Sequence, residues 1–161
     1  FMKEKIFILK SEIKNDFKKL NNIFDTFETA YKKYLDSEEY SRLVESAFYV
    51  NRLFSGFENM FKNVAKTFEN NVEQDYWHKS LLERMSLDIQ DIRPALLSEE
   101  SFKCLDELRA FRHFFRHAYD MDLNKDKFKI VADKVFSVRD IVFKDINSFL
   151  DFLDSLVKRK K

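Results

Sequence analysis

Glycine, proline and cysteine are almost missing from this chain: each occurs once in 161 residues. Folds rich in tight turns need glycine for positive φ and proline for a fixed φ at frequent intervals, so sandwiches and barrels are poor readings. The glycine-rich phosphate loop and the dinucleotide fingerprint each require more than one glycine and cannot be written here. With Cys104 alone, an intrachain disulfide and a cysteine-based zinc site are both excluded, and a lone cysteine accords with a reducing compartment. Long apolar runs are missing as well. Segments such as Ala47-Phe48-Tyr49-Val50 are far shorter than the roughly 20 residues that span a bilayer. The start, Phe1-Met2-Lys3-Glu4-Lys5-Ile6, has no apolar stretch or small-residue cleavage site of a signal peptide. A cytoplasmic protein with no membrane partner is therefore expected.

Net charge is also lacking. Lys plus Arg total 29 and Asp plus Glu total 28, which leaves +1. A non-specific nucleic-acid binder is usually strongly basic, so any nucleic-acid chemistry must rest on a local patch.

What is abundant is phenylalanine, 19 in all, within a composition that is 45% hydrophobic. The length fits one domain over residues 1–161, large enough for a sizeable core. From Ile6 through Leu9, Ile13, Phe17, Leu20, Phe24, Phe27 and Tyr31 to Tyr34, steps of three and four draw one stripe of a long helix. Asp36 with Glu39 reads as a capping box that starts a second helix, which runs on to Phe68. Gly56 falls inside that pattern, where it predicts close backbone packing or a kink. A shorter helix is expected over Trp77 to Leu87. A fourth begins at Ser98-Glu99-Glu100, a capping serine followed by acids that suit the helix dipole, and ends near Tyr119. Residues 120–136 read as a polar connection, and Ser137 with Asp140 as the start of a fifth helix. The expected fold is an all-α antiparallel bundle of about five helices. The apolar faces of the first two helices exceed what the other three can cover, which points to a homodimer.

One segment stands apart, Leu108-Arg109-Ala110-Phe111-Arg112-His113-Phe114-Phe115-Arg116-His117-Ala118-Tyr119. At about 100° per residue, Leu108, Phe111, Phe115 and Ala118 share the core side, while three arginines and two histidines fill the opposite arc. One reading is a solvated cationic face at a helix C-terminus, favoured by the dipole. The other is chemical. Guanidinium groups grip phosphate with two donors, and histidine exchanges protons near neutral pH, which together suffice for metal-independent RNA cleavage.

Arg112, four residues, then His117-Ala118-Tyr119 resembles the Arg-x4-His-x-Tyr motif of HEPN-domain ribonuclease toxins of the HepT type. Ser55 to Phe61, Trp77 to Met85 and Leu108 to His113 are similar to three further blocks of that family, in the same order. Ala110 stands where the family block carries glycine. The resemblance implies a five-helix HEPN bundle that works as a homodimer, cutting RNA in a cleft between facing motifs. It implies Arg112 as the group that polarises the scissile phosphate and His117 as general acid/base, with Arg116 and His113 as phosphate contacts. It further implies an MntA-like nucleotidyltransferase antitoxin that adds AMP to Tyr119, as in type VII toxin–antitoxin pairs. An alternative is a non-catalytic HEPN partner of such a nucleotidyltransferase. On one regular helix Arg112 and His117 are roughly 140° apart, a separation that itself favours a dimeric site.

Other signals carry less. Asp120-x-Asp122-x-Asn124-x-Asp126 imitates a calcium loop, but Lys125 replaces its glycine and Val131 its terminal glutamate. His113 and His117 have metal-ligand spacing, but no further ligand completes a site, so no metal and no cofactor are expected. His78 reads as a packing and hydrogen-bonding residue, and Lys158-Arg159-Lys160-Lys161 as a solvated basic tail.

Overall fold

The computed structural model describes residues 2–69, 78–118 and 122–158. Among them are five helices and no strand: α1 (Met2–Ser37), α2 (Tyr40–Glu69), α3 (Lys79–Met85), α4 (Glu99–His117) and α5 (Lys125–Lys158). The stripe read along α1 is the buried one, with Ile6, Leu9, Ile13, Leu20, Phe24, Phe27, Tyr31 and Tyr34 all below 9% exposed. Each such side chain contributes roughly 1.5–3 kcal/mol through burial. Fully buried Phe54, Phe57 and Phe61 on α2 and Phe128 on α5 meet α1 in the centre of one core.

The α1–α2 hairpin turns at Glu38, whose φ of 57° is unusual for a residue with a side chain. Its N–H donates to Tyr34 O at 2.7 Å, closing α1. The capping box read at Asp36 is not the device used: the Ser37 hydroxyl accepts from the Glu39 N–H instead, at 3.2 Å. Gly56 does mark a close approach. A Cβ there would lie 2.8 Å from Leu20 Cδ2, so α2 sits against α1 where a side chain would crowd it.

The connection read over 120–136 needs correction, because α5 already begins at Lys125. Asn124 caps it, its Oδ1 accepting from the N–H groups of Asp126 and Lys127 at 2.9 and 3.0 Å. Ser137 is an interior residue whose hydroxyl donates back to Asp133 O. The lengthened α5 runs antiparallel to α1, as Lys10–Asp154, Phe17–Phe143 and Asp25–Arg139 contacts show in register. Between α3 and α4, fully buried Arg93 ties the chain down. Its guanidinium donates to Glu69 and to the carbonyls of Arg84, Leu87 and Pro94, each at 3.1 Å. No helix among the described residues is long and apolar enough to cross a membrane.

Candidate active site

Helix α4 is fixed at its start and left cationic at its end. Ser98 caps it, accepting from the Ser101 N–H. Asp145 of α5 clamps the same turn, accepting from the Ser98 N–H and hydroxyl at 2.9 Å and from the Ser101 hydroxyl at 2.5 Å. Leu105 and Leu108 are fully buried, and Phe111 meets Phe128 edge to face at 5.4 Å. That packing sets the azimuth of the helix and so turns its other wall toward α2 and α3.

On that wall lies a pocket of about 50 Å³ lined by His78, Arg109, Arg112, His113, Arg116 and His117. It has room for a small anionic group and not for a nucleobase. Behind it, on α2, Glu58 is only 4% exposed. The Arg112 guanidinium rests 5.7 Å above the Phe54 ring, with one terminal nitrogen 3.8 Å from Glu58 Oε1. That separation attracts, but it is too long for a hydrogen bond. Arg112 Nε is buried with no hydrogen-bond partner among the described residues. Arg93 Nε shares that state, but its terminal nitrogens are hydrogen-bonded, whereas the ion pair of Arg112 with Glu58 is beyond hydrogen-bond distance.

His117 Nδ1 lies 2.8 Å from the carbonyl oxygen of His113. A carbonyl only accepts, so Nδ1 carries the proton and the lone pair of the neutral ring falls on Nε2. The His113 and His117 rings are 4.4 Å apart. Arg109 is held by Asp106 at 2.6 Å, and Arg116 is exposed with no ion pair among the described residues. Cations thus outnumber the carboxylates around the pocket, so an anion is favoured there.

Arg112 and His117 therefore line one pocket within a single chain, despite their angular separation. The long Arg112 side chain turns inward to α2 and is 14% exposed, whereas His117 stays at the rim. Arg116 and His113 join them. Tyr119, Trp77 and the tail from Arg159 lie outside the described residues.

Two residues enter that the sequence reading did not place. Glu58 sits on the apolar stripe between Phe54 and Phe61, and an acid in such a stripe is the signal that could have exposed it. His78 does hydrogen-bond as expected, since Glu58 Oε2 accepts from its backbone N–H at 3.1 Å and faces its Nδ1 at 2.8 Å. It also lines the pocket, which its packing role did not suggest. Its backbone has φ 55° and ψ −109°, a strained state for a non-glycine residue that costs on the order of 1–3 kcal/mol.

The described residues form an all-α bundle of five helices with an arginine–histidine pocket at one helix end, an architecture consistent with a HEPN-type protein. The chain belongs to the HepT-like family: the model described as HepT-like protein matches residues 47–153, from within α2 to within α5. Comparison with curated proteins and with solved structures gave no match.

Proposed function

We propose that this chain is an endoribonuclease toxin that cuts RNA through Arg112 and His117. The observation that carries the reading is the under-satisfied Arg112 guanidinium, aimed with His117 into one cationic pocket. A phosphodiester in the pocket offers the Arg112 guanidinium acceptors at closer range than Glu58 does. Arg112 polarises the phosphorus and steadies the charge that develops on its oxygens. His117 Nε2 takes or returns the proton at a reacting oxygen. The attacking group is the adjacent ribose 2′-hydroxyl, so side chains suffice and no metal or other cofactor is called for. Arg116 and His113 bind flanking phosphates.

A homodimer fits the apolar side of the same helix end. Exposed Tyr40 and Phe114 line a cleft of about 140 Å³ beside α4, together with Val44, Phe115 and Leu123. A second copy seated there would cover these groups and set two cationic helix ends near one another.

The proposed partner is a nucleotidyltransferase antitoxin of the MntA type. The Tyr119 oxygen attacks the α-phosphorus of ATP, pyrophosphate leaves, the phenolic proton is lost and AMP remains attached. The added negative charge, two residues beyond His117, would occupy the arginines that RNA needs.

The test is RNA cleavage in excess chelator. Wild type is expected to cut, with Arg112→Ala and His117→Ala each slower by about 10²–10³-fold. An inert wild type would leave a non-catalytic partner of a nucleotidyltransferase, and undiminished cleavage by both variants would remove Arg112 and His117 from the chemistry. Incubation with the antitoxin and ATP should add AMP mass to wild type and none to Tyr119→Phe.

A further inference from the structure

We propose that the pocket holds a second proton-transfer histidine, His78, oriented by the buried carboxylate of Glu58; this rests on the RNA-cleavage reading above. Cleavage by an internal 2′-hydroxyl needs two proton transfers on opposite sides of phosphorus. The 2′-oxygen bonds to phosphorus and its proton goes to a base. The bond from phosphorus to the 5′-oxygen breaks, and that oxygen receives a proton from an acid. The products are a 2′,3′-cyclic phosphate and a 5′-hydroxyl, with every atom and electron pair accounted for. Within one chain, the single imidazole of His117 poorly serves both sides in a single passage.

The second imidazole within the chain is that of His78. His78 comes from the start of α3 and not from α4, yet it lines the same pocket as Arg112 and His117. Glu58 Oε2 lies 2.8 Å from its Nδ1, and a carboxylate there makes Nδ1 the protonated nitrogen. Proton exchange at this ring then runs through Nε2. The other oxygen of Glu58 faces Arg112, so one nearly buried carboxylate aligns the phosphate-binding cation and the imidazole together. The ring is held over the pocket by a strained positive-φ backbone, anchored to Glu58 through its own N–H. Strain of this kind concentrates where a side chain must be placed for function. His78 is thus a catalytic residue in the proposed reaction, and Glu58 a positioning residue. Among the described residues, the charged and titratable groups that share its pocket or pair with it include Glu58 from α2 and Arg109, Arg112, His113, Arg116 and His117 from α4.

The test uses the whole chain with an RNA oligonucleotide and its 2′-deoxy counterpart. Asparagine suits a positive φ and can still donate to Glu58, so His78→Asn keeps the anchor and removes the proton relay. Expected is a cleavage loss of about 10²–10⁴-fold, with 2′-deoxy oligonucleotide binding within a few-fold of wild type and one limb of the pH–rate profile gone. Glu58→Gln should shift that same limb. In wild type, ring ¹⁵N NMR should show His78 protonated at Nδ1 and perturbed on adding the 2′-deoxy oligonucleotide, whether or not the variants fold. Undiminished cleavage by His78→Asn, with His117→Ala inactive, overturns this proposal and leaves the ribonuclease reading intact. So does an Nε2-protonated or unperturbed His78 ring. A wild type that cuts no RNA overturns both.

Discussion

Two arginines in this molecule rest on phenylalanine rings and end differently. Arg139 of α5 lies 5.5 Å over Phe24 and donates to Asp25 and Glu28 of α1, both at 2.8 Å. Burial disfavours its charge, yet the hydrogen bonds from Asp25 and Glu28 outweigh this and raise the guanidinium above its ordinary range. Arg112 of α4 lies 5.7 Å over Phe54 and reaches only one carboxylate, beyond hydrogen-bond distance. The environments look alike, but the first cation is hydrogen-bonded to two carboxylates and the second to none among the described residues. A well-paired arginine fastens helices. An under-satisfied one, among histidines at a pocket, is left for a ligand.

Mutations that separate fastening from ligand binding sharpen this contrast. The largest effect is expected at Arg93, fully buried on Glu69. Arg93→Ala leaves Glu69 with Arg84 alone and unpartners the carbonyls that Arg93 satisfies at Arg84, Leu87 and Pro94, so it should destabilise by about 3–5 kcal/mol, a melting-temperature fall on the order of 10 °C. Next comes Arg112→Ala, with cleavage down about 10²–10³-fold and thermal stability within about 1 kcal/mol of wild type. A large stability loss at Arg112 would make it a fastener like Arg139 and break the contrast. Arg139→Ala should do the reverse: melting lowered by about 2–4 °C for a loss of about 1 kcal/mol, cleavage unchanged. The smallest effect concerns Lys10 and Asp154 at the far end of the α1–α5 seam. The hydrogen bond from Lys10 holds the Asp154 carboxyl below its usual value of 3.8. Folding therefore favours the charged form, and this stabilisation is present above that ordinary value and fades as pH falls below it. Asp154→Asn should lower stability slightly at neutral pH and leave it unchanged in strong acid, so the acid limb of the stability–pH curve flattens.

Much of the architecture was legible because phenylalanine and leucine recur at helical spacing without glycine or proline to interrupt them. The stripe on α1, the Gly56 contact and the Ser98 cap are local features, and each is found where its residues pointed. The first half of α5 was not legible. Its apolar face passes through Phe128, Ala132 and Val135 while lysines and aspartates crowd the rest, so a buried stripe with small members looked like a polar connection. At the site, Arg112, His113, Arg116 and His117 share one helix turn or two, and their spacing alone grouped them. Glu58 and His78 come from other elements. Only tertiary packing brings α2, the start of α3 and the end of α4 together, and no single-chain spacing encodes that meeting.

In the proposed reaction, an under-satisfied arginine and the histidines beside it direct a ribose 2′-hydroxyl against the adjacent phosphate. The most direct measurement compares an RNA oligonucleotide with a DNA oligonucleotide of the same sequence, both incubated with the chain in excess chelator. The expected result is RNA fragments bearing 2′,3′-cyclic phosphate and 5′-hydroxyl ends, with DNA bound but intact. Cleavage of the DNA, or RNA fragments with 5′-phosphate ends, would contradict it.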